Sequence, residues 1–585
     1  MSRDCIWPHA TGVLLCLATF LVASGSCAGE PGMPAAPYAD RWVYCSFNLQ
    51  VEKSADDLIA LIDRSKRAGY TGVVLSDYKF QVLDRVPAHY FRNVERVKAA
   101  AARAGIELIP TVFSVGYSSG ILAHDPNLAE GLPVVNQPYR VKDGAAVLDA
   151  GTTARLKNGD LEISQGNQFA SFNWQDDPGV TTFADHAVRH RGRAACRLEP
   201  GKSQKGKTSP NVRLTQTVKL RPFSAYRFSC WVKTQDLEPT GSFHLLALGT
   251  GPGGRQLTFH EGGVLSTRDW TRIEVVFNSV DQGEANLYVG FWGDGKGTIW
   301  VDDLAIDELA LVNILRREGC PLAVKSSAGE TTYTESRDFE PVTDARLGRV
   351  PWDGEYEFEH AGPTIQIKPG SRIKNGQSLR VSWYHPVLTH GSQVMCCLSD
   401  PKLDQILNDQ ARRVNELFRP RTFFMSHDEI RVANWCLACE RRHKTPGELL
   451  ADNVRRCRSI LKSISPQARV VVWSDMFDPH HNAVDRYYLV NGSLAGSWEG
   501  LSTELLIANW NHGKAAESLM FFAGRGHRQV IAGYYDSDDL TNFDQWNAAA
   551  RGVNGIAGFM YTTWQARYGL LEQYGRSMVA GTARD

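Results

Sequence analysis

Val94-Glu-Arg-Val-Lys-Ala-Ala-Ala-Ala-Arg-Ala-Gly-Ile-Glu-Leu-Ile-Pro-Thr-Val112 holds a helix, its stop and a buried strand in one short run. Val94 to Arg103 are strong helix formers. Ala104-Gly105 ends the helix, because glycine adopts the left-handed conformation that closes a last turn. Ile106 to Val112 is then too apolar and too short for anything but a strand buried on both faces. The same unit stands upstream. Trp42 to Phe47 reads as a strand. Ser54-Ala-Asp-Asp57 reads as a helix start with Leu58, Leu61 and Ile62 on one face, Arg67-Ala68-Gly69 as its stop and Gly72 to Ser76 as the next strand. It resumes far downstream at Asp400-Pro401, an acidic cap followed by proline in the first turn. Leu403, Ile406, Leu407, Val414 and Leu417 keep helical spacing. Strands are expected at Thr422 to Met425, Arg469 to Trp473, Ser493 to Ser497, Gln529 to Tyr534 and Ile556 to Tyr561, with a helix opened by Thr445-Pro-Gly-Glu448. Three strands before the interruption and five after it make the eight of a (β/α)8 TIM barrel.

The interruption is all β. From about Asn158 to Asp307 turn residues separate short alternating strands, among them Val212 to Val218, Tyr226 to Val232, Arg272 to Phe277 and Ala285 to Phe291. Residues 309–399 are again β-rich, with Pro363 to Ile367 and Leu379 to Trp383 as strands. The predicted organisation is a signal segment (1–28), the first part of the barrel (29–140), an inserted sandwich (141–308), a further small β-rich segment (309–399) and the second part of the barrel (400–585). The opening Asn158-Gly-Asp-Leu-Glu162 and closing Trp300-Val-Asp-Asp303 resemble the ends of the jelly-roll sandwiches of carbohydrate-binding modules. That resemblance implies a structural calcium at Glu162 and Asp303; turn and edge carboxylates are the alternative.

Composition narrows the partners. The chain has 585 residues, 64 Lys plus Arg against 64 Asp plus Glu, and 43% hydrophobic residues. A net charge of zero removes the electrostatic case for nucleic acid or an anionic membrane. Arg3, the apolar run Gly12 to Ala23 and the small residues Ser26-Cys27-Ala28 predict an exported protein, periplasmic or extracellular, cleaved after Ala28. Lipid attachment at Cys27 ranks second, and no transmembrane helix is expected in the mature chain. Cleavage leaves an odd number of cysteines. Cys436-Leu-Ala-Cys439 is a lone C-x-x-C, for which Cys457 and His443 make a poor second ligand pair. Free buried thiols, or one disulfide, are the expectation.

In an α/β barrel the chemistry lies at the carboxyl ends of the strands. Those ends carry Asp77-Tyr78-Lys79, Tyr117, Ser426-His427-Asp428-Glu429, Trp473-Ser474-Asp475, Trp498-Glu499, Tyr534-Tyr535-Asp536 and Thr563-Trp564-Gln565. Carboxylates beside aromatic faces make a sugar pocket: acid/base groups, hydroxyl acceptors and stacking surfaces. Two plainer readings stand beside this. Ser426-x-x-Glu429 fits a helix capping box, and tryptophans usually fill cores. Asp77, Lys79 and His124 are rim positions for which a surface role is the better reading.

An Asp-Glu pair after strand four, a Trp with an acid two residues on after strand five, Tyr-Asp after strand seven and Trp after strand eight resemble the family 20 (β-hexosaminidase-like) glycoside hydrolases. The segments Leu108-Ile-Pro-Thr111 and Pro126-Asn-Leu-Ala-Glu130 are similar to that family too. The resemblance implies an oligo- or polysaccharide substrate and retaining, substrate-assisted hydrolysis. Glu429 would be the general acid, with its pKa raised by a dry aromatic pocket. Asp428 would orient the 2-acetamido group, and Tyr535 would donate to its oxygen. Trp473, Trp498 and Trp564 would wall the pocket, and Asp475, Glu499 and Asp536 would meet the substrate; His427, which is not part of the family's pattern, is a further candidate at the substrate site that would hydrogen-bond one of the carboxylates, with space-filling as its alternative. No cofactor is needed for catalysis. Ser426-His427 stand where the family has two glycines, and Tyr117 where it has a histidine. Two alternatives stay open. One is a retaining hydrolase of sugars without an acetamido group, using Asp475, Glu499 or Asp536 as nucleophile. The other is a non-catalytic glycan-binding protein.

Overall fold

The structure is a computed structural model that describes residues 38–151, 154–201, 210–251, 254–258 and 263–580. The predicted signal segment and Cys27 lie outside the described residues. Among the described residues no helix is long and apolar enough to cross a membrane.

Eight parallel strands close into a barrel: β1 (Asp40–Ser46), β2 (Gly72–Ser76), β3 (Glu107–Val112), β4 (Thr422–Met425), β5 (Arg469–Trp473), β6 (Leu505–Asn509), β7 (Gln529–Tyr534) and β8 (Ile556–Thr562). β8 pairs back onto β1, with Trp42 opposite Met560. Both faces are covered, so the strands read as unbroken apolar runs, and side-chain alternation divides them. Trp42, Val74, Ile109, Phe424 and Val471 fill the inside. Val43, Val73, Phe423 and Val470 face outward into the helix-side core. Tyr44 and Trp473 belong to the inner set, close to the carboxyl ends of β1 and β5, and parity alone therefore turns two aromatics towards the barrel mouth.

The longer helices, which follow the barrel strands, are α1 (Glu52–Arg67), α2 (Ala88–Ala104), α3 (Pro401–Phe418), α4 (Pro446–Ile464), α5 (Ala515–Gly524), α6 (Thr541–Ala550) and α7 (Leu571–Ala580). Their local signals work as the sequence implies. Gly105 closes α2 at φ 64°. The Asp400 side chain caps α3 ahead of Pro401. Thr445 and Glu448 cap α4 reciprocally. α1 departs from expectation: it starts at Glu52, and its N-cap Val51 makes no side-chain cap.

Two differences concern the barrel itself. The sixth strand is Leu505–Asn509, not Ser493 to Ser497, and it pairs with β5 and β7. Gly496 has φ 84°, and Ser497–Gly500 is a 3-10 turn, so that stretch cannot run as a strand. Among the described residues, moreover, no α-helix lies between β5 and β6; 3-10 turns at Asp475–Phe477 and Ser497–Gly500 stand there instead. The fold is thus a closed eight-stranded parallel barrel with helices after seven of its strands.

Between β3 and α3 the chain builds a sheet and a sandwich. Leu132–Lys142 pairs antiparallel with Ser378–His385, placing Tyr139 opposite Leu379. This six-stranded sheet therefore takes strands from both sides of the sandwich, which is an insertion within an insertion. The domain boundary drawn at residue 141 falls inside Leu132–Lys142. The sandwich has a five-stranded sheet centred on Ala225–Glu238 and Lys296–Glu308 and a four-stranded sheet centred on Val212–Lys219 and Glu284–Phe291. At its ends, Glu162 accepts from the backbone N–H and guanidinium of Arg193 (2.7 and 3.1 Å), and Asp303 accepts from His190 (2.7 Å). Among the described residues no group of three or more metal-capable side chains includes Glu162 or Asp303.

Candidate active site

The loop after β4 carries the site. No helix follows Glu429, so the capping-box reading of Ser426-x-x-Glu429 does not apply. Glu429 has φ 50°, a left-handed conformation that a non-glycine residue adopts only when its surroundings enforce it. The enforcing contacts are explicit. Its backbone N–H donates to Asp475 Oδ2 at 2.9 Å, and its carbonyl accepts from Gln393 Nε2 at 3.0 Å. Its carboxylate meets Arg431 at 2.8 Å and accepts from the Tyr117 hydroxyl. Arg431 is 4% exposed. It also donates to Gln393 Oε1 and lies over the Tyr488 ring.

Asp428 and Glu429 face a cavity of about 590 Å3, also lined by Tyr44, Ser114, Tyr117, Trp473, Trp510 and Trp564. Tyr44 lies 5.5 Å from Trp473 and 5.1 Å from Trp564 between ring centroids. Tyr535 stacks on Trp510 at 5.8 Å and 5° and meets Trp564 edge-on at 6.1 Å. The result is an aromatic cup with carboxylates in it. Trp510 lines this cavity, and its Nε1 has no hydrogen-bond partner; behind the lining, the buried Asp475 Oδ1 has none either, and the Tyr535 hydroxyl, close to the Trp564 side chain, has no acceptor for its proton.

The carboxylates cannot all ionise at once. Burial, then the charges of Asp475 and Glu429, push Asp428 up to about 8. Burial also raises Asp475. The consequence of the Asp428 shift for stability has a definite sign. Asp428 is neutral in the folded protein up to about pH 8, but ionises near pH 4 when unfolded. Folding therefore loses free energy as pH rises from about 4 to about 8. Asp428→Asn removes that loss. Its melting temperature relative to the parent is expected to climb across this window, by on the order of a few degrees, and to level off above it. Melting curves in a pH series check this; a difference flat in pH would contradict it.

The remaining predicted residues divide clearly. Asp536 sits at the rim but is occupied: it accepts from the Thr563 hydroxyl and from the backbone N–H of Trp564 (2.8 Å) and Gln565 (3.3 Å). It positions Trp564 and leaves little free to meet a sugar. His427 is fully buried and turned away, with Nε2 3.0 Å from Asn453 Oδ1 in α4, and burial lowers it to about 4. Trp498 packs edge-on against Phe521 (5.5 Å), and Glu499 pairs with Arg525 (2.8 Å). Both lie on the misplaced sixth strand, so the structure does not bring them into the cup. Their place is taken by Trp510, one residue past the true β6. Asp77 is buried and accepts from Leu49 N, Lys79 N and the Tyr90 hydroxyl, each at 3.0 Å, which is a packing role.

Sequence reading missed Gly116, Gln393, Arg431, Tyr44 and Trp510. Gly116 shows why. A Cβ there would stand 1.9 Å from the Asp428 carbonyl oxygen, and that backbone atom has no rotamer by which to retreat. Gln393 ties the same two loops, donating to the carbonyls of both Gly116 (2.7 Å) and Glu429. Gly116→Ala is expected to displace the Asp428-Glu429 backbone. Activity should fall at least about a hundredfold, with a loss of about 1–3 kcal/mol in stability. Steady-state kinetics with a melting curve check this; near-parental kinetics would show the contact to be soft.

No family model matches the chain, and no curated protein matches it. Among solved structures, the module TmCBM61 in complex with β-1,4-galactotriose is 20% identical, with 26% of this chain and 98% of that chain covered and a TM-score of 0.20. Family 16 Carbohydrate Binding Module-2 is 17% identical, with 25% of this chain and 99% of that chain covered and a TM-score of 0.18. The Streptomyces plicatus N-acetyl-β-hexosaminidase in complex with Thio-NAglucal is 16% identical, with 31% of this chain and 35% of that chain covered and a TM-score of 0.20. Likenesses of this size assign the chain to no family, and the functional reading has to rest on the site.

Proposed function

We propose that the chain is an exported glycoside hydrolase that cleaves 2-acetamido-2-deoxy sugars by a retaining, substrate-assisted mechanism. The observation that carries this reading is the aromatic cup with the Asp428-Glu429 pair in it, its Trp510 and Trp564 walls backed by the Tyr535 ring. A sugar ring stacks its C–H face on Trp473, Trp510 or Trp564. The 2-acetamido oxygen takes the hydrogen bond that the Tyr535 hydroxyl now lacks. The acetamido N–H donates to Asp428. That contact favours the Asp428 anion, and the proton that Asp428 gives up passes to the neighbouring Glu429, which delivers it to the glycosidic oxygen. The acetamido carbonyl attacks the anomeric carbon. The Asp428 anion then balances the positive oxazolinium, and Glu429 takes a proton from the incoming water. Tyr117 and Arg431 hold the Glu429 carboxyl in register throughout.

The deciding experiment is hydrolysis of paired aryl 2-acetamido-glycosides and plain glycosides by the parent, Glu429→Gln and Asp428→Asn. Cleavage restricted to acetamido sugars and lost in both variants supports the proposal. Cleavage of plain glycosides would instead require a protein nucleophile, for which Asp475 is the remaining candidate, since Glu499 and Asp536 are engaged elsewhere. Glycan binding without turnover would make the chain a binding protein.

A further inference from the structure

Nine cysteines lie in the described residues, all free and all buried, and three of them converge. Cys397 Sγ is 3.5 Å from Cys436 Sγ and 3.6 Å from Cys439 Sγ, and Cys436 Sγ is 3.8 Å from Cys439 Sγ. A carboxylate completes the group. Glu130 Oε2 stands 3.9 Å from Cys436 Sγ and 3.6 Å from Cys439 Sγ. All four ligand atoms fall within 4.8 Å of one another, and all four residues are buried.

These spacings have a chemical meaning. A disulfide needs sulfurs about 2.0 Å apart and would satisfy only two of the three thiols. A tetrahedral zinc with Zn–S bonds of about 2.3 Å and a Zn–O bond of about 2.0 Å sets its ligand atoms about 3.5–3.8 Å apart, close to the separations observed. We propose that Cys397, Cys436, Cys439 and Glu130 bind one structural zinc ion.

The surroundings fit. Glu130 Oε1 accepts from the backbone N–H of Trp435 (2.7 Å) and Cys436 (3.2 Å), which leaves Oε2 to face the thiols. Such outer contacts orient a ligating carboxylate. Zinc displaces the three thiol protons, and three thiolates plus a carboxylate leave an excess of two negative charges around the ion. Arg317, held by the carbonyls of Asn127 (2.8 Å) and Ala129 (3.2 Å), points Nη2 at Cys436 Sγ from 3.3 Å and offsets part of that excess. Cys320 borders Cys436 as a further thiol. Four buried ligands leave no open position, which marks a structural rather than a catalytic site.

The site's place in the chain gives it a purpose. Glu130 lies in the segment after β3, Cys397 just before the α3 cap, and Cys436 and Cys439 in the loop after β4 that begins with Asp428-Glu429. One ion would staple both loops of the aromatic cup to the point where the inserted sheet rejoins the barrel. The sequence concealed this because the partners of the C-x-x-C are Cys397 and Glu130. Cys457, considered for that role, instead lies 3.7 Å from Asn453 Oδ1 in α4.

The test uses the full chain, purified with reductant and zinc and then passed over a chelating resin. About one zinc per chain is expected by elemental analysis, with Cys457→Ser unchanged and Cys397→Ser and Glu130→Gln retaining less or releasing it faster. Because a cysteine variant can misfold, cobalt(II) exchange into the parent gives an independent reading. Intense thiolate-to-cobalt charge transfer with tetrahedral ligand-field bands supports the site. Metal below about a tenth of an equivalent with Cys397, Cys436 and Cys439 all titrating as free thiols, or a disulfide among these three as the main form, would overturn it.

Discussion

Glu429→Gln is expected to lower kcat/KM by roughly 10²–10⁴, equivalent to about 3–5 kcal/mol of transition-state stabilisation, with the fold intact. The substitution keeps the side chain's size, and an amide oxygen still accepts from Tyr117. What is lost is the proton that reaches the leaving oxygen and the charge beside Arg431. Arg431 is not orphaned, because Gln393 Oε1 and the Tyr488 ring remain against it, so the melting temperature should move little. The size of the effect carries the diagnosis. An aryl leaving group with a low pKa departs without much protonation, whereas a sugar hydroxyl does not. The penalty should therefore grow along a series of aryl 2-acetamido-glycosides as the leaving-group pKa rises, and be largest on a disaccharide. A penalty independent of leaving group would show that Glu429 is not the acid. Asp428→Asn should behave differently. It removes the anion that balances the oxazolinium, so its loss should be of similar size for every leaving group and absent for any plain glycoside the protein accepts.

How far the sequence discloses this site depends on what each residue is asked to do. β1, β2, β3, β4, β5, β7 and β8 are legible because parallel strands buried on both faces leave short apolar runs between helix stops and caps. β6 escapes because Leu505-Leu-Ile-Ala508 follows no helix: the fifth helix is replaced by 3-10 turns, and the punctuation that marks the other units is missing. That single slip moves the predicted rim from Trp510 to Trp498 and Glu499. Asp428, Glu429, Trp473, Tyr535 and Trp564 were legible from their place at strand ends. Gly116, Gln393 and Arg431 were not, because their function lies in contacts across several loops: a carbonyl that leaves no room for a Cβ, an amide tying two loops, a guanidinium behind a carboxylate. His427 was misread for the opposite reason. At a strand end alternate residues point opposite ways, and its position sends it into the helix-side core beside Asn453, while the backbone turn at Glu429 brings two consecutive acids into the same cup.

Tyr535→Phe is expected to lower kcat on acetamido substrates by about 10²–10³ while leaving the melting temperature unchanged or slightly raised. The two halves of this prediction come from the same observation. The Tyr535 hydroxyl is buried against Trp510 and Trp564 without an acceptor for its proton, and a buried donor left unmet costs about 1–3 kcal/mol. Phenylalanine keeps the ring and its stack and removes that cost, so the folded protein loses nothing. The backbone is strained to hold this geometry: Tyr534, Tyr535 and Asp536 have φ of 77°, 54° and 56° in succession, each a conformation costing on the order of 1–3 kcal/mol for a non-glycine residue. Burial keeps the hydroxyl protonated well above the ordinary tyrosine range, so it remains a neutral donor at any working pH. The acetamido oxygen gives up electron density to the anomeric carbon as it attacks, so a fixed donor there acts by aligning the nucleophile. The loss should consequently appear in kcat more than in KM. A variant that loses stability along with activity would make the hydroxyl a packing group, and one equally impaired on plain glycosides would remove the acetamido group from the mechanism.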